Sequence, residues 1–185
     1  VGMPMGAARR STGSLAPRAQ QVFDIDVPPG TSLLSTRVRP AEGSRGDLDL
    51  YLFDCTKKEC VAARADGDAS GDEMIRIEPP AAGRWKAVAD HSGFPSGPIA
   101  FEYQDVLFNP AFGYVAVTDQ PADHATGARW TSKGNAWQAS IPAGRTAMAA
   151  VGVQLQPKGL EPFLLGVREV GAGSARATDA PGQQR

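Results

Sequence analysis

From Gln21 onward, apolar side chains return at every second position, in short runs broken by glycine and proline. Phe23, Ile25 and Val27 fall on one side of such a run, with Asp24 and Asp26 on the other; Leu48, Leu50 and Leu52 repeat the pattern, as do Trp85, Ala87 and Ala89. Side chains alternate across a strand, so a run of this kind sets one face on a core and leaves the other to water. The 21 glycines and 15 prolines, scattered over 185 residues, punctuate the chain into short strands and turns. No segment of ten or more residues keeps a 3.6-residue period, and Gly113, Pro121, Pro142 and Pro157 interrupt every candidate helix beyond residue 110. The expected fold class is all-β.

Seven strands are predicted in the first part: Gln21 to Val27, Leu33 to Val38, Leu48 to Asp54, Cys60 to Arg64, Glu73 to Glu78, Arg84 to Asp90 and Ile99 to Phe108. Regular spacing with turn signals between them indicates a β-sandwich over residues 20–109. Asn109-Pro110 marks a boundary, after which the alternation restarts in about five shorter strands: 114–118, 129–131, 136–141, 147–155 and 162–170. Residues 110–171 are therefore read as a small β-rich, immunoglobulin-like module, or as strands lent to one larger sandwich. Residues 1–19 are polar, small and basic and read as a disordered linker; residues 172–185 carry nothing to bury and read as a disordered tail.

Nineteen Lys and Arg against 20 Asp and Glu give a net charge of −1, which supplies no basic face for nucleic acid and no attraction to an anionic membrane. No apolar run approaches the ~18 residues of a spanning helix. Residues 1–20 contain Arg9, Arg10 and Arg18 but no apolar stretch of a signal peptide, so export, if it occurs, is expected to be encoded upstream in a longer precursor. Cys55 and Cys60 end one predicted strand and open the next, where they can face each other across a hairpin. A disulfide there fits an exported chain, because cytosolic thiols stay reduced; the alternative is two free thiols, and a metal site needs more Cys or His nearby.

Two segments carry a family resemblance. "GDLDLYLFD" (46–54), followed about 30 residues later by "PPAAGRWKAVAD" (79–90), resembles the bacterial pre-peptidase C-terminal (PPC) domain, a small jelly-roll-like β-sandwich. The stretch 95–119, "ARWT" (128–131), "IPAGR" (141–145) and the strand running to Val170 are similar to the C-terminal region of secreted subtilisin-like serine peptidases. The resemblance implies secretion, a catalytic peptidase domain of the same precursor as partner, and no chemistry in these residues. It implies a role in folding, export or docking of a protein or polysaccharide substrate, or else a spacer or cap cleaved during maturation.

The residues agree that catalysis is not to be expected. Gly30-Thr31-Ser32 is followed by Leu33-Leu34, where a subtilisin-like nucleophile needs a helix of small residues, and neither His91 nor His124 lies in that family's histidine setting. An acidic loop is the one candidate metal site. Asp66, Asp68 and Ser70 supply oxygens at positions one, three and five, Gly71 stands at six, and Asp72 and Glu73 follow. That opening matches a Ca²⁺ loop, since Ca²⁺ gathers six to eight hard oxygens. Position twelve is Ile77, where a bidentate glutamate belongs; Glu73, Glu78, Asp47, Asp49 or Asp90 would have to substitute. The competing reading is a solvated acidic turn, which Asp and Gly favour locally. Asp47 and Asp49 carry the same pair of readings, Ca²⁺ ligands or acceptors for loop backbone. Finally, Trp85, Trp130 and Trp137 with Tyr51, Tyr103 and Tyr114 are either core or an exposed face for a polymer or protein.

Overall fold

A computed structural model of the chain describes residues 3–94, 96–117, 134–151 and 163–165. Its strands are β1 Met3–Pro4, β2 Gly6–Leu15, β3 Gln20–Val27, β4 Leu33–Pro40, β5 Leu48–Asp54, β6 Val61–Asp66, β7 Glu73–Ile77, β8 Gly83–His91, β9 Ile99–Phe108, β10 Gly113–Val117, β11 Gly134–Gln138, β12 Thr146–Val151 and β13 Phe163–Leu165. One short 3-10 turn, Pro110–Phe112, is the only helical element among the described residues. The fold class is all-β, a sandwich of antiparallel sheets. No helix among the described residues is long and apolar enough to cross a membrane.

The chain divides into two units, Ala8–Phe108 and the residues on either side of it. In the first unit one sheet runs β3-β8-β5-β6, and strands β2-β9-β4-β7 lie side by side in the other. The period-two pattern explains the core directly. Leu48, Leu50, Leu52, Ile25, Ala87 and Ala89 are fully buried from one sheet; Leu34, Val38, Phe101, Tyr103 and Leu107 are buried from the other. Each such large side chain contributes roughly 2 kcal/mol through area removed from water. Phe23 stacks on Tyr103 with centroids 3.7 Å apart and meets Phe101 edge-on at 6.2 Å. The indole Nε1–H of buried Trp85 donates to the Ala81 carbonyl at 2.8 Å, so its polar atom enters the core with a partner.

The strand at the N-terminus corrects one expectation. Within the stretch expected to be a disordered linker, β1 and β2 occupy Met3–Pro4 and Gly6–Leu15. Gly6–Leu15 lacks large alternating apolar residues because its neighbour supplies the bulk. A β-carbon at Gly13 would stand 2.7 Å from the Phe101 ring, so only glycine lets β2 lie against β9 there. Arg9 then fixes the strand. Its Nε donates to Asp105 Oδ2 at 2.8 Å, and Asp105 is fully buried on β9. Its Nη2, 2.7 Å from the same Asp105 oxygen, donates to the Asp24 carbonyl of edge strand β3 at 2.8 Å. At the opposite edge, Met74 N–H of β7 donates to Asp66 Oδ2 at 3.0 Å, and Arg64 of β6 donates to the Arg76 carbonyl at 3.1 Å.

In the second unit β1 pairs with β10 and β10 with β11, while β12 pairs with β13. Asn109 turns the chain into it, its side chain accepting the Ala111 N–H at 2.9 Å before Pro110–Phe112. Met5 N–H donates to the Gly113 carbonyl, and Asn109 N–H to that of Met5. The strand expected at 129–131 and the tail at 172–185 lie outside the described residues.

Candidate functional site

The two resemblance-bearing segments are direct neighbours. β5 and β8 pair antiparallel, Leu48 against His91 through to Asp54 against Trp85. Leucines and Trp85 turn inward, which leaves Asp49 and Asp90, an opposed pair, on the solvent side. Asp49 is held above the usual carboxylate range by partial burial and then by Asp47 and Asp90. Tyr51, two residues along the same face, reaches Asp49 Oδ2 at 3.5 Å and is pushed up by burial and by the same two carboxylates, Asp49 and Asp90. The main chain of Asp47 joins two segments: its N–H donates to the Phe94 carbonyl at 3.1 Å, and its carbonyl accepts from Ser92.

The acidic loop spends most of its oxygens on itself. Asp66 accepts from Met74 N–H; Asp68 Oδ1 accepts the Ser70 N–H at 2.6 Å, which with the Ser70 side chain lowers its pKa. The Asp72 carboxylate is clamped by Arg37 through both oxygens. Ser70 Oγ accepts from Asp72 N–H at 3.2 Å and donates to Glu73 Oε1 at 3.3 Å. Glu73 is only 1% exposed. Burial, then Asp66 and Asp68, push its carboxyl up to about 7. Held this way the five residues form an acidic turn closed by its own hydrogen bonds and by Arg37. Among the described residues no three His, Cys, Asp or Glu are grouped to hold a metal.

Cys55 and Cys60 form a disulfide. It closes the β5–β6 connection, in which Thr56 donates its hydroxyl and N–H to Asp54 Oδ1 at 2.6 and 2.9 Å; these bonds lower the Asp54 pKa. Ser32 enters β4 with both its N–H and hydroxyl on the Phe108 carbonyl. His91 is fully buried with both ring nitrogens on backbone groups. His124 lies outside the described residues.

The six aromatic residues separate into different environments. Trp85 and Tyr103 are core, 3% and 1% exposed, and Tyr51 is half-buried. Trp130 lies outside the described residues. Tyr114 and Trp137 are 43% and 58% exposed and stand directly opposite each other on β10 and β11. Directly opposed residues share a sheet face. Pro4 of β1 faces Tyr114 from the other side, and Asn135 lies on the same face as Trp137, two residues along. No residue of these three strands is charged. A face of this kind offers π surfaces, apolar edges and an amide: chemistry for stacking on a sugar ring or a flat side chain. Strand register, not either segment alone, brings Tyr114 and Trp137 together.

Fold and surface define an all-β sandwich with an accompanying β-rich unit. No family model matches the chain, and no curated protein does. Among solved structures it is similar to the Aeromonas hydrophila PliG protein, a periplasmic inhibitor of g-type lysozyme, at 9% identity and TM-score 0.42 over 55% of this chain and 86% of that one. It is also similar to the Bacillus licheniformis lipase BlEst2 in propeptide form, at 16% identity and TM-score 0.35 over 56% of this chain; it spans 22% of the lipase. Likenesses this slight carry no functional argument.

Proposed function

We propose that the chain is a non-catalytic accessory region of the PPC type, from the C-terminal part of a secreted subtilisin-like serine peptidase, and that it docks the parent enzyme's protein or polysaccharide substrate. The observation that carries the docking role is the exposed Tyr114–Trp137 pair on an uncharged sheet face. The family assignment is supported by the two resembling segments meeting as paired strands β5 and β8. The disulfide is consistent with an oxidising compartment.

The test is pull-down of the whole chain on insoluble collagen, casein, cellulose and chitin. Binding to one of them, lost in Tyr114→Ala with Trp137→Ala while the melting temperature holds, supports docking. Failure to bind any of them, or binding untouched by the double variant, overturns it. A second reading, a structural spacer or cap removed during maturation, is favoured by the ionic side chains that occupy main-chain groups of edge strands β3 and β7. It predicts that deleting the region lowers secretion of the parent enzyme and leaves its substrate range unchanged.

A further inference from the structure

The solvent side of sheet β3-β8-β5-β6 carries an apolar row. Phe23, Ala87 and the leucines of β5 turn inward, so Val22, Val88 and Tyr51 turn outward. Register sets them in line: Val22 opposes Val88, Val88 opposes Tyr51, and Tyr51 opposes Ala65 of β6. Directly opposed residues share a face, so the row crosses all four strands without a charge. Neighbouring strands lie about 4.8 Å apart, which makes the row about 14 Å long. Val22 is 51% exposed, Tyr51 is half-buried and Ala65 is exposed. Phe53 and Ala62, an opposed pair one row along, widen the apolar strip over β5 and β6.

The next row, toward the start of β5, is acidic. Asp49 stands directly opposite Asp90, with Gln20 beyond it on β3. Like charges set opposite each other cost stability. Partial burial, then Asp47 and Asp90, hold the Asp49 carboxyl above its usual range. Asp47 Oδ1 is buried with no hydrogen bond among the described residues. No ion pair among the described residues neutralises Asp47, Asp49 or Asp90. On the other flank of the apolar row the charges balance: Lys86 lies 4.0 Å from Asp24, and Arg84 opposes Asp26. Folding alone explains neither the exposed apolar row nor the crowded carboxylates beside it.

We propose that this face is a second docking surface, within Ala8–Phe108, for a protein segment that lays apolar side chains along Val22, Val88 and Tyr51 and a Lys or Arg over Asp49 and Asp90. The two rows stand two residues apart on each strand, about 6.8 Å, which is also the distance from residue i to i+2 of an extended segment. A basic residue followed two places on by an apolar one fits both rows. The cation relieves the repulsion between the carboxylates, and the apolar contact removes Val22 and part of Tyr51 from water. The acidic row selects against other occupants. Nucleic acid and anionic lipid are repelled by it. A second copy laid face to face offers only Lys86 and Arg84, each already opposite an aspartate. The chemistry differs from that of the uncharged Tyr114–Trp137 face, and the proposal does not depend on that face.

The test pans random peptides of about 12 residues, displayed on phage, against the whole chain and measures the selected peptides by calorimetry. The expected result is a group of peptides that combine Lys or Arg with apolar residues. Their binding is expected to weaken about tenfold in Asp49→Asn with Asp90→Asn and about fivefold in Val22→Ser, and to be unchanged in Tyr114→Ala with Trp137→Ala. Selection of no such peptides, or binding indifferent to both variants of this face, overturns the proposal. So does binding lost only in the Tyr114 and Trp137 variant, which would leave one docking face. A monomer–dimer equilibrium in ultracentrifugation, broken by Val22→Ser, would make the occupant a second copy and equally overturn it. A last readout needs no partner. Asp90→Asn is expected to raise the melting temperature by about 1–2 °C near neutral pH, by removing the repulsion with Asp49. An unchanged or lower melting temperature would mean that the opposed carboxylates carry no cost for a partner to relieve, and would exclude the proposed cation site.

Discussion

The two units use the same element differently. In Ala8–Phe108 every strand except the edge strand β6 buries side chains, and Leu48, Leu50 and Leu52 are wholly buried. In the second unit all five residues of β11 are exposed, and its largest residue, Trp137, stands mostly in solvent. The first pattern is explained by stability alone. The second is not, because a tryptophan left in water contributes little to folding; the proposed docking role would give it a use.

Substitutions sharpen the contrast. Leu50→Ala is expected to destabilise the chain by about 3 kcal/mol through lost transfer energy and a cavity, measured by urea unfolding. Trp137→Ala, a far larger truncation, is expected to change stability by no more than about 0.5 kcal/mol. If the order reversed, Trp137 would belong to a core and the docking role would fall. Equal in size to Leu50→Ala is Asp105→Ala, expected to cost about 3 kcal/mol because it strips Arg9 of a buried counter-charge; a loss of under about 1 kcal/mol would show that β2 is held by packing alone. Cys55→Ser with Cys60→Ser opens a short loop, and the chain-entropy estimate for closing it is about 2 kcal/mol. An unchanged melting temperature would mean that β5 and β6 need no covalent tie.

A smaller effect than those of the core, the ion pair and the disulfide is electrostatic. Native Glu73 keeps its proton up to about pH 7, whereas its ordinary value is 4.5. The folded state therefore binds more protons than the unfolded chain between those values, so this group lowers stability as pH rises through the window. Glu73→Gln is expected to flatten that slope and to raise stability near neutrality by about 1 kcal/mol, read from unfolding at several pH values. Saturating Ca²⁺ separates the two readings of the loop. A rise in melting temperature, lost in Asp66→Ala with Asp68→Ala, would show that the turn can rearrange into a cage.

Six of the strands were legible because their core residues repeat every second position, and β6, which buries nothing, by the turn signals on either side of it; β3, β5, β8 and β9 begin and end within a residue or two of the expected bounds. β2 was not legible, since Gly6–Leu15 is small and polar and its burial comes from Phe101 and Asp105, far along the chain. The acidic loop was found by its oxygens, but its spacing does not say that Arg37 takes Asp72 or that Glu73 turns inward. His91 offered no sequence signal beyond its position at a strand end. Its ring nitrogens meet the backbone of two glycines, 93 and 97, which only the folded loop brings to the ring.

The ionic side chains lying along the outer strands bear on behaviour at high concentration. A bare strand edge templates addition of a strand from another molecule, which is a route to fibres. Here Arg9 occupies an acceptor of β3, and Asp66 and Arg64 occupy a donor and an acceptor of β7. Another chain would have to displace these bonded charges before pairing at those positions, so the protein can crowd against its own copies without seeding cross-β aggregation there.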